Sequence, residues 1–469
     1  MRLSSLIRNI FEVNMKNIIE FAKKINKNNG ARAYLVGGAV RDLIMGLPSK
    51  DFDLELFGIT TDILERFLIG EYEFKLNSDA KFPVYRVLIG GEWVEIGFPR
   101  KENKTGIKHS DYTVLIDPFM SVADAAMRRD FTMNAIYYDL ISGEFIDPHG
   151  GVADIAKKQL VPVNNITFRE DALRIWRAFQ FIARFGFDAS QTEAAINDEM
   201  RAELQHISPS SVYGEIRKAI IHGKYFGLAI EYLYELLPVL QEMNNTPQNP
   251  KYHREGSVFI HTKMVVTEIM KSATPENAEL LFFSALLHDI AKPKTFAIGK
   301  AGQPTFYNHE KEADDLIDIF ASKHSLPIKL TKQIKAMVQN HMITSQYKNK
   351  KLHKIAEELA AVGLCFDDLM LLVDADSRSA IKDDVDLQTA TMLDVARLRA
   401  KINTLNIQKK PIDPLVNGNT IIGLSNHTIK GKQLGMLLAE VKALQFAGRL
   451  NTQSEAVEFL QKRINNLKK

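Results

Sequence analysis

The segment VGGAVRDLIMGLPSKDFDLE, residues 36–55, places a glycine pair and an apolar stretch ahead of two aspartates separated by one residue. A glycine pair lets the backbone approach a ligand closely, and the amides that open a following helix attract phosphate. Residues two apart in a β-strand point to the same face, so Asp51 and Asp53 are predicted to present two carboxylates side by side. Such carboxylates repel each other unless a cation neutralises them, and oxygen ligands suit magnesium. The segment predicts a phosphate and magnesium site, although a Gly-Gly turn followed by a solvent-facing aspartate pair has the same local pattern.

The sequence around this segment predicts a mixed α/β module. AYLVGG and FDLELFG are typical of strands, and AVRDLIMG is typical of a helix between them. VYRVLIGG and WVEIGF predict a hairpin through Gly90 and Gly91. We therefore expect a head domain built on a sheet of roughly five strands.

Residues after about 151 are predicted to be helical. REDALRIWRAFQFIARFGF (169–187) repeats apolar residues at helical spacing. The polar stretch QEMNNTPQNPKYHREGS (241–257) contains two prolines and predicts a linker, and IQKKPIDPLVNGNT (407–420) predicts a second boundary. The predicted fold class is an α/β (α+β) head followed by all-α regions.

Length and composition limit the alternatives. At 469 residues the chain is too long for one hydrophobic core, so we expect on the order of two to four domains. The single cysteine, Cys365, excludes an intramolecular disulfide and a cysteine-only zinc site, and it fits a reducing compartment. No apolar run approaches the roughly 20 residues that span a bilayer, and the first residues lack a signal-peptide core. These features predict a cytoplasmic protein without a membrane partner.

The net charge of +3 is unevenly distributed. Residues 401–469 contain eleven Lys or Arg residues and four acidic residues, so this tail has a charge of +7 and the rest of the chain −4. A basic end on a nearly neutral chain favours a polyanionic partner, although a solvated lysine-rich helix has the same composition.

GGAVRDLIMGLPSKDFDLE resembles the signature of class II template-independent nucleotidyltransferases, the family of CCA-adding tRNA nucleotidyltransferases and bacterial poly(A) polymerases. The resemblance continues in the family's order through RRDFTMNAIYYD (128–139), FIDPHGG (145–151) and REDALRIWRAFQFIARFGF. It implies in-line attack by an RNA 3′-hydroxyl on the α-phosphate of a nucleoside triphosphate. Asp51 and Asp53 would hold two magnesium ions that activate the hydroxyl and neutralise the leaving pyrophosphate. Glu95, on the predicted strand WVEIGF, is a third catalytic acid by the same resemblance.

The resemblance also implies a nucleotide-binding set: Gly38, Arg41, Arg129, Asp171, Arg174 and Arg177. In EDALR (170–174), Asp171 would accept a hydrogen bond from the exocyclic amine of C or A, and Arg174 would donate to a ring acceptor. G and U present a carbonyl there and would face another acceptor. On a helix an i,i+3 spacing puts both side chains on one face, but an ordinary salt bridge has the same spacing. Gln180 replaces an arginine that many members have, so the mode of base switching stays open.

Three later motifs, FIHTKMVV, ALLHDIAKPKTF and DADSRSA, occur in the order of the HD phosphohydrolase superfamily. By this match the metal ligands are His261, His288, Asp289 and Asp376, with Asp374 as the alternative to Asp376. Imidazoles and carboxylates together suit a divalent transition metal such as Mn, Ni, Co or Fe. His309 and His341 lie where related sites add ligands or phosphate contacts, and Lys292 could reach a phosphate. The alternative is an HD fold that serves only as a structural domain.

The two resemblances together imply five regions: an N-terminal helix (1–30), a nucleotidyltransferase head (31–150), a helical neck (151–240), an HD domain (256–400) and a basic RNA-binding tail (401–469). The implied function is CCA addition to tRNA 3′ ends from CTP and ATP, with phosphohydrolase activity on RNA 3′-end phosphates. The tail would grip the tRNA acceptor stem. A poly(A) polymerase or a CC- or A-only adding enzyme could be built from the same residues. An RNA-binding HD hydrolase with an inert head is the alternative from another class.

Overall fold

The structure is a computed structural model that describes residues 5–49, 51–77, 82–106, 112–405, 414–446 and 449–467. The chain divides into two compact units, Met1–Tyr225 and Phe226–Lys469. This division falls inside the predicted neck. The stretch 241–257, predicted to be a linker, lies within the second unit, where Thr246 and Gln248 are buried. The first half of the predicted boundary at 407–420, residues 407–413, lies outside the described ranges.

The first unit contains the predicted sheet. Its strands are β1 Arg32–Val36, β2 Asp53–Phe57, β3 Phe74–Leu76, β4 Tyr85–Ile89, β5 Glu92–Gly97, β6 Arg100–Lys104, β7 Tyr112–Ile116, β8 Tyr137–Asp139 and β9 Phe145–Ile146. Seven of these form one sheet in the order β3-β4-β5-β2-β1-β8-β9, and β6 pairs with β7 separately. The hairpin predicted between β4 and β5 is present. The expected strand number was too low because β3, β8 and β9 are too short, at two or three residues each, to show an alternating pattern.

Both faces of this sheet are covered, which explains why its central strands are buried along almost their whole length. All but the first residue of β1 and of β2 are buried. Along β1, Leu35 faces one hydrophobic cluster, which it shares with Phe21, whereas Tyr34 and Val36 face a second cluster that includes Tyr137. The sheet is thus a rigid platform for side chains at its strand ends.

The helices of the first unit follow the strands. They are α1 Ser5–Asn29, α2 Gly38–Ile44, α3 Thr61–Leu68, α4 Val122–Ala126, α5 Gly151–Lys157, α6 Asn165–Phe168, α7 Leu173–Phe185, α8 Ser190–Ala195, α9 Asp198–Glu203 and α10 Pro209–His222. Helix α7 ends at Gly186, which has a φ of +65°, and a Cβ there would lie 2.7 Å from the ring of Tyr225. Only glycine fits that termination without displacing the aromatic ring.

The second unit is almost entirely helical. Its elements are α11 Phe226–Tyr234, α12 Pro238–Asn244, α13 Val258–Ile269, α14 Ala278–Leu287, α15 Lys292–Thr295, β10 Ala297–Ile298, β11 Pro304–Thr305, α16 His309–Lys323, α17 Ile328–Asn340, α18 Asn349–Ala361, α19 Phe366–Ser379, α20 Val385–Thr404, α21 Gly418–Leu424, α22 Gly431–Phe446 and α23 Gln453–Leu467. Helix α14 packs against α13, α17 and α19, and nearly all of its residues are buried. It is therefore the central helix of this unit.

The predicted tail forms a small core of its own. Ile421, Val441 and Leu460 are buried together, one from each of α21, α22 and α23. Four of its basic residues, Lys409, Lys410, Lys468 and Lys469, lie outside the described residues. A search of the described helices finds none with the length and apolar character needed to cross a membrane.

Candidate functional site

The acids predicted to be catalytic lie at the start of β2 and beside it. The strand register pairs Asp53, the first residue of β2, with Glu95 of the parallel strand β5. Asp51 lies two residues before β2, outside the strand in which it was predicted. All three residues are exposed, and Glu95 Oε1 is 3.7 Å from Arg86 Nε. The structure thus brings Asp53 and Glu95 together on neighbouring strands, with Asp51 just upstream.

The electrostatics of these acids favour a cation. Desolvation of its carboxylate, together with the negative charges of Glu95 and Asp51, raises the pKa of Asp53. Among the described residues, however, groups of three ligand atoms within 4.8 Å of one another occur only in the second unit. Magnesium commonly uses one or two carboxylates and completes its shell with water and substrate phosphates. The acids therefore fit a magnesium ion whose remaining ligands come from a bound nucleotide and from water.

Arg41 does not lie in an open position. It is 4% exposed, donates at 2.8 Å to Asp42 Oδ1 and to Asn134 Oδ1, and its Cζ lies 4.9 Å from the ring centroid of Phe185. Burial lowers the pKa of Arg41, although Asp42 counters this effect. Helix α2 is packed into the unit along nearly its whole length, so this side chain points into the protein. Direct phosphate contact by Arg41 stays a prediction, and its burial favours a supporting position. Gly38 opens the same helix and is half-buried.

Glu55, a buried carboxylate of β2 that was not predicted as a site residue, binds two arginines. Glu55 Oε1 accepts a hydrogen bond from Arg128 at 2.7 Å, and Glu55 Oε2 lies 3.5 Å from an Arg129 guanidinium nitrogen. Burial opposes its ionisation, but Arg129 and Arg128 lower the pKa of Glu55 below its ordinary value. Glu55 continues the two-residue spacing of Asp51 and Asp53 along β2, and this spacing could have identified it.

A second buried carboxylate positions Arg177. Asp130 Oδ2 accepts a hydrogen bond from Arg177 Nε at 2.6 Å, and Asp130 Oδ1 accepts from Asn134 at 3.0 Å. The charge of Asp130, acting against burial, raises the pKa of Arg177. The Arg177 side chain is 33% exposed, so Asp130 fixes its guanidinium while part of the side chain stays accessible to solvent.

The predicted base-reading pair lies at the start of α7, with a different local geometry from the one expected. The helix begins at Leu173, so Asp171 lies in the turn before it, and Asp171 Oδ1 accepts from the Leu173 amide at 3.0 Å. Arg174 is 8% exposed and donates to the backbone carbonyls of Thr167 at 2.8 Å and Arg128 at 2.6 Å. The Asp171 carboxylate satisfies a free amide at the helix start, so the helix begins at Leu173 and includes Arg174 but not Asp171.

The second unit brings together all four metal ligands predicted for it. His261 Nε2 is 2.8 Å from Asp376 Oδ1, and His288 Nε2 is 4.0 Å from the same oxygen. His288 Nε2 is also 3.0 Å from Asp289 Oδ2. These residues come from α13, the end of α14 and α19. The fallback ligand Asp374 is elsewhere, in an ion pair with Arg399.

His309 and His341 join the same centre. His309 Nε2 is 3.2 Å and His341 Nε2 is 3.9 Å from Asp289 Oδ1. The Nδ1 atoms of His288, His309 and His341 lie 2.8, 2.9 and 2.7 Å from backbone carbonyl oxygens three residues earlier. A proton on Nδ1 satisfies each of these contacts and leaves the Nε2 lone pair for a metal.

The buried polar atoms at this centre test whether a metal fits. His288 Nε2 and both carboxylate oxygens of Asp289 are buried, and their close contacts, to one another, to His309 and to Lys292, lack hydrogen-bond geometry. Such atoms are costly unless an ion or another partner satisfies them. Lys292 Nζ lies 2.7 Å from Asp289 Oδ2 and donates to Gln248 Oε1 at 2.8 Å, so it partly balances the aspartate charge. The donor set of imidazole nitrogens and carboxylate oxygens fits a divalent transition metal.

Glu255, in the stretch predicted to be a linker, contacts the ring nitrogen of His261 that does not face Asp376. Glu255 Oε1 lies 2.8 Å from His253 Nδ1 and 3.0 Å from His261 Nδ1, and its Oε2 accepts from the Ile381 amide at 2.9 Å. Burial opposes its ionisation, but the two histidines lower the pKa of Glu255 well below its ordinary value. Against the effect of burial, Asp376 and Glu255 raise the pKa of His261 to about 9.

A cavity of roughly 830 Å³ opens over the centre, with Asp289, His309, His341 and Asp376 among its lining residues. Its wall also contains basic side chains and aromatic rings: Lys292, Lys382, Arg397, Tyr252, Phe306 and Tyr307. Positive charge beside a metal centre suits a phosphate, and exposed rings suit a nucleobase.

Comparisons with known proteins agree with both halves of this description. Residues 33–161 match the poly A polymerase head domain, and residues 258–369 match the HD domain. The multifunctional CCA protein of Stenotrophomonas maltophilia (strain K279a) is 31% identical over 321 residues, which cover 66% of this chain and 76% of that protein. That of Xanthomonas oryzae pv. oryzae (strain MAFF 311018) is 34% identical over 275 residues, which cover 56% of this chain and 64% of that protein.

The same fold is found in solved structures. The crystal structure of the Bacillus stearothermophilus CCA-adding enzyme in complex with CTP has a TM-score of 0.55 and 21% identity, and the match covers 97% of this chain and 98% of that one. A tRNA nucleotidyltransferase complexed with a primer tRNA and an incoming ATP analog has a TM-score of 0.51 and 19% identity. This match covers 81% of this chain and 99% of that one. The predicted fold class, an α/β head followed by helical regions with an HD domain, is confirmed.

A poly A polymerase head joined to an HD domain defines a nucleotidyltransferase with an additional HD domain. The sequence resemblance is thus confirmed. The chain belongs to the multifunctional CCA protein family.

Proposed function

We propose that this chain adds CCA to tRNA 3′ ends from CTP and ATP without a nucleic-acid template. Family membership and the names of its relatives support this proposal. The observation that supports it most directly is the pairing of Asp53 with Glu95 on adjacent parallel strands, where desolvation and the negative charge of Glu95 raise the pKa of Asp53. Such a site attracts a cation bound to a triphosphate.

In this proposal the head acids hold magnesium, with Asp51 and Asp53 as the main ligands and Glu95 beside them. When bound, magnesium supplies charge neutralisation at the reacting phosphate and lowers the pKa of the attacking hydroxyl. The chain's own contribution is to fix the carboxylates on a covered sheet, so the reacting groups are positioned without further reorganisation.

In this proposal Arg129 and Arg177 bind the nucleotide's phosphates or ribose. Arg129 and Arg177 are held by Glu55 and Asp130, which fixes the positions of their guanidinium groups. Arg177 has the more accessible guanidinium of the two, and we assign it the direct triphosphate contact. Gly38, at the start of α2, allows the nucleotide to approach the backbone closely.

Asp171 reads the incoming base in this proposal. Its carboxylate is half-buried before α7, and an acceptor there pairs with the exocyclic amines of C and A. Arg174 donates to the backbone carbonyls of Thr167 and Arg128. It therefore fixes the segment that leads to Asp171 and the backbone at Arg128. These bonds use two of the five N–H donors of Arg174, and the other donors are those that would contact a base as predicted.

The second unit is proposed to be a phosphohydrolase that acts on RNA 3′-end phosphates. The basic wall of the cavity over the histidine and aspartate centre supports this activity. His261, His288, Asp289 and Asp376 would hold a divalent transition metal, which when bound supplies Lewis acidity at the phosphate. Lys292 and Lys382 would bind the phosphate oxygens. Removing a 3′-end phosphate would leave the free hydroxyl that nucleotide addition requires.

The basic tail is proposed to bind the tRNA acceptor stem, through sequence-independent phosphate contacts that weaken as salt rises. The cytoplasmic location stays a prediction from sequence.

The decisive experiment incubates the purified chain with magnesium, each labelled nucleoside triphosphate and a tRNA that lacks CCA. We expect incorporation of C, C and A in that order and no further extension. A long A tract would indicate a poly(A) polymerase, and a product that ends at CC or gains only A would indicate a partial enzyme. No incorporation by a folded, tRNA-binding chain would show that the head is inert.

A further inference from the structure

A basic segment lies at the start of α18 in the second unit. The sequence QYKNKKLHK, residues 346–354, places four lysines within seven positions: Lys348, Lys350, Lys351 and Lys354. All four side chains are exposed. The first turn of α18 has the sequence NKKL, and lysines there are unfavourable beside the positive end of the helix dipole. This arrangement reduces the stability of the helix unless a negatively charged partner offsets it.

These lysines border a groove rather than a flat surface. The groove has a volume of about 1030 Å³ and lies between the end of α17, the loop 342–347 and the start of α18. Lys311 of α16 also lines it, as do three glutamates, Glu310, Glu357 and Glu358. Lysines thus outnumber acids by five to three. A concave surface with excess positive charge favours a polyanionic strand, whereas a lysine-rich helix that is merely solvated needs no groove.

The groove adjoins the cavity over the metal-binding centre. Met342 and Ile343 line both spaces. They directly follow His341, whose Nε2 is 3.9 Å from Asp289 Oδ1 in that centre. A strand whose end lies at the centre can therefore continue past Met342 into the groove.

The wall between the two spaces is held in place by hydrogen bonds. Lys401 of α20 donates to the carbonyls of Ser345 at 3.0 Å and Tyr347 at 2.6 Å. The Tyr347 hydroxyl donates to the Met342 carbonyl at 3.4 Å, and Lys351 Nζ lies 3.3 Å from the centroid of the Tyr347 ring. A wall that is already ordered reduces the conformational entropy lost when a ligand binds.

We propose that this groove binds the single-stranded 3′ segment of an RNA whose terminal phosphate lies at the metal-binding centre. A phosphodiester strand carries a negative charge at every nucleotide, which matches a row of exposed lysines. A single strand fits better than a duplex, because its end must enter the cavity that leads to a buried centre.

The binding site is argued from the groove itself, whereas its role in hydrolysis rests on the proposed phosphohydrolase function. The substrate class of that activity is then a polynucleotide end rather than a free nucleotide. A free nucleotide would contact only the cavity, and a polynucleotide would contact the cavity and the groove.

The test gives the full-length chain two substrates in the presence of Mn²⁺ or Ni²⁺. One is a 2′,3′-cyclic mononucleotide, and the other is an unstructured RNA of about ten nucleotides with the same cyclic terminus, a length typical of single-strand grooves. This RNA has no acceptor stem, so the proposed contact with the tail is avoided. We expect KM to be at least about tenfold lower for the RNA, with a similar kcat. Equal KM values would overturn the proposal and leave the hydrolase standing.

Two double variants show whether the groove causes this difference. Lys348→Ala with Lys350→Ala should raise KM for the RNA by about five- to tenfold and leave hydrolysis of the mononucleotide unchanged, because two phosphate contacts are lost. The slope of log affinity against log salt for the RNA should become shallower by about 1.4, the value for two contacts on a single strand.

Lys323→Ala with Lys332→Ala is the matched control. It removes the same charge from exposed positions outside the groove and should affect neither substrate. Equal effects of the two double variants on the RNA would overturn the proposal. An effect of the groove variant on the mononucleotide as large as its effect on the RNA would also overturn it.

Crosslinking locates the strand without requiring hydrolysis. RNA with a thiouridine near its 3′ end should crosslink to residues 342–354, and polyglutamate should compete poorly. Crosslinks in this segment without hydrolysis would uphold the groove and refute the hydrolase, and hydrolysis without such crosslinks would do the reverse. If polyglutamate displaces the strand as well as unlabelled RNA does, the groove belongs to an acidic protein partner and the proposal is wrong.

Discussion

The candidate cation ligands of the head are exposed carboxylates, whereas those of the second unit are mostly buried imidazoles and carboxylates. Asp53 and Glu95 are both exposed, and within the described ranges these acids do not form a three-ligand group. His261 and His288 are completely buried, and each lies within 4.0 Å of Asp376. The chain therefore supplies nearly all the metal ligands in the second unit and only some of them in the head.

This difference suits the two proposed reactions. A site completed by the nucleotide's own phosphates is assembled only when substrate is present, which suits a magnesium ion that arrives with a triphosphate. A site whose histidines are fixed by backbone carbonyls can retain its metal between turnovers. In the head the metal would exchange with substrate, and in the second unit it would be a resident ion.

The largest effect is expected at Asp53. Asp53→Ala removes a proposed magnesium ligand and should lower the rate of nucleotide addition by about a thousandfold or more, since such ligands contribute several kcal/mol to barrier lowering. The measurement is single-turnover addition to tRNA lacking CCA. Glu92→Ala, an exposed acid that begins β5, is the matched control and should stay near wild type. Near-normal addition by Asp53→Ala would remove it from the catalytic set.

The next effect concerns the support of the second centre. Glu255→Ala should weaken metal binding by about 10- to 100-fold, because it removes the carboxylate that lies 3.0 Å from His261 Nδ1. Competition with a coloured chelator measures this affinity. Glu268→Ala, on the same helix as His261 but paired with Lys271, should leave it unchanged. Equal affinity in both variants would mean that Glu255 is needed for packing alone.

A smaller effect is expected in base selection. Asp171→Ala should reduce the preference for CTP and ATP over UTP and GTP by roughly tenfold, because one hydrogen bond to a base edge is lost. The comparison is kcat/KM for the four nucleotides. Glu170→Ala, the neighbouring acid, is the control. If the four-nucleotide ranking survives in an active Asp171 variant, another group reads the base.

The smallest effect is expected at the fallback ligand. Asp374→Ala should change metal affinity by no more than about twofold, since its carboxylate pairs with Arg399 outside the centre. Asp376→Ala, two residues away, should lose most of the binding. The opposite ranking of these two variants would mean that α19 presents its other face to the metal.

Much of this account could be predicted from sequence, because motifs fix which residues approach one another. The order of blocks placed Asp53 and the histidine motifs on the correct elements. What it could not show was burial. Arg41 has the spacing of a phosphate ligand, but α2 is packed on nearly all sides and directs it inward.

Two other misses have the same origin. Residues 241–257 are polar and contain prolines, which are typical of a linker, yet Glu255 and Gln248 use that polarity to contact the metal-binding centre. Asp171 was expected inside a helix, but its side chain satisfies a free amide and delays the helix start. Glu255 and Gln248 have tertiary partners, and Asp171 has a backbone partner two residues on, that the pattern of residue types does not reveal.

The central claim, that one chain contains two separate chemistries, is tested most directly by assaying two variants for both reactions. His288→Ala should abolish hydrolysis of a 2′,3′-cyclic phosphate and should retain CCA addition to a tRNA with a free 3′-hydroxyl. Asp53→Ala should show the reverse, with circular dichroism confirming that both remain folded. Loss of both activities in the folded His288→Ala chain, or retention of both in either variant, would contradict the account.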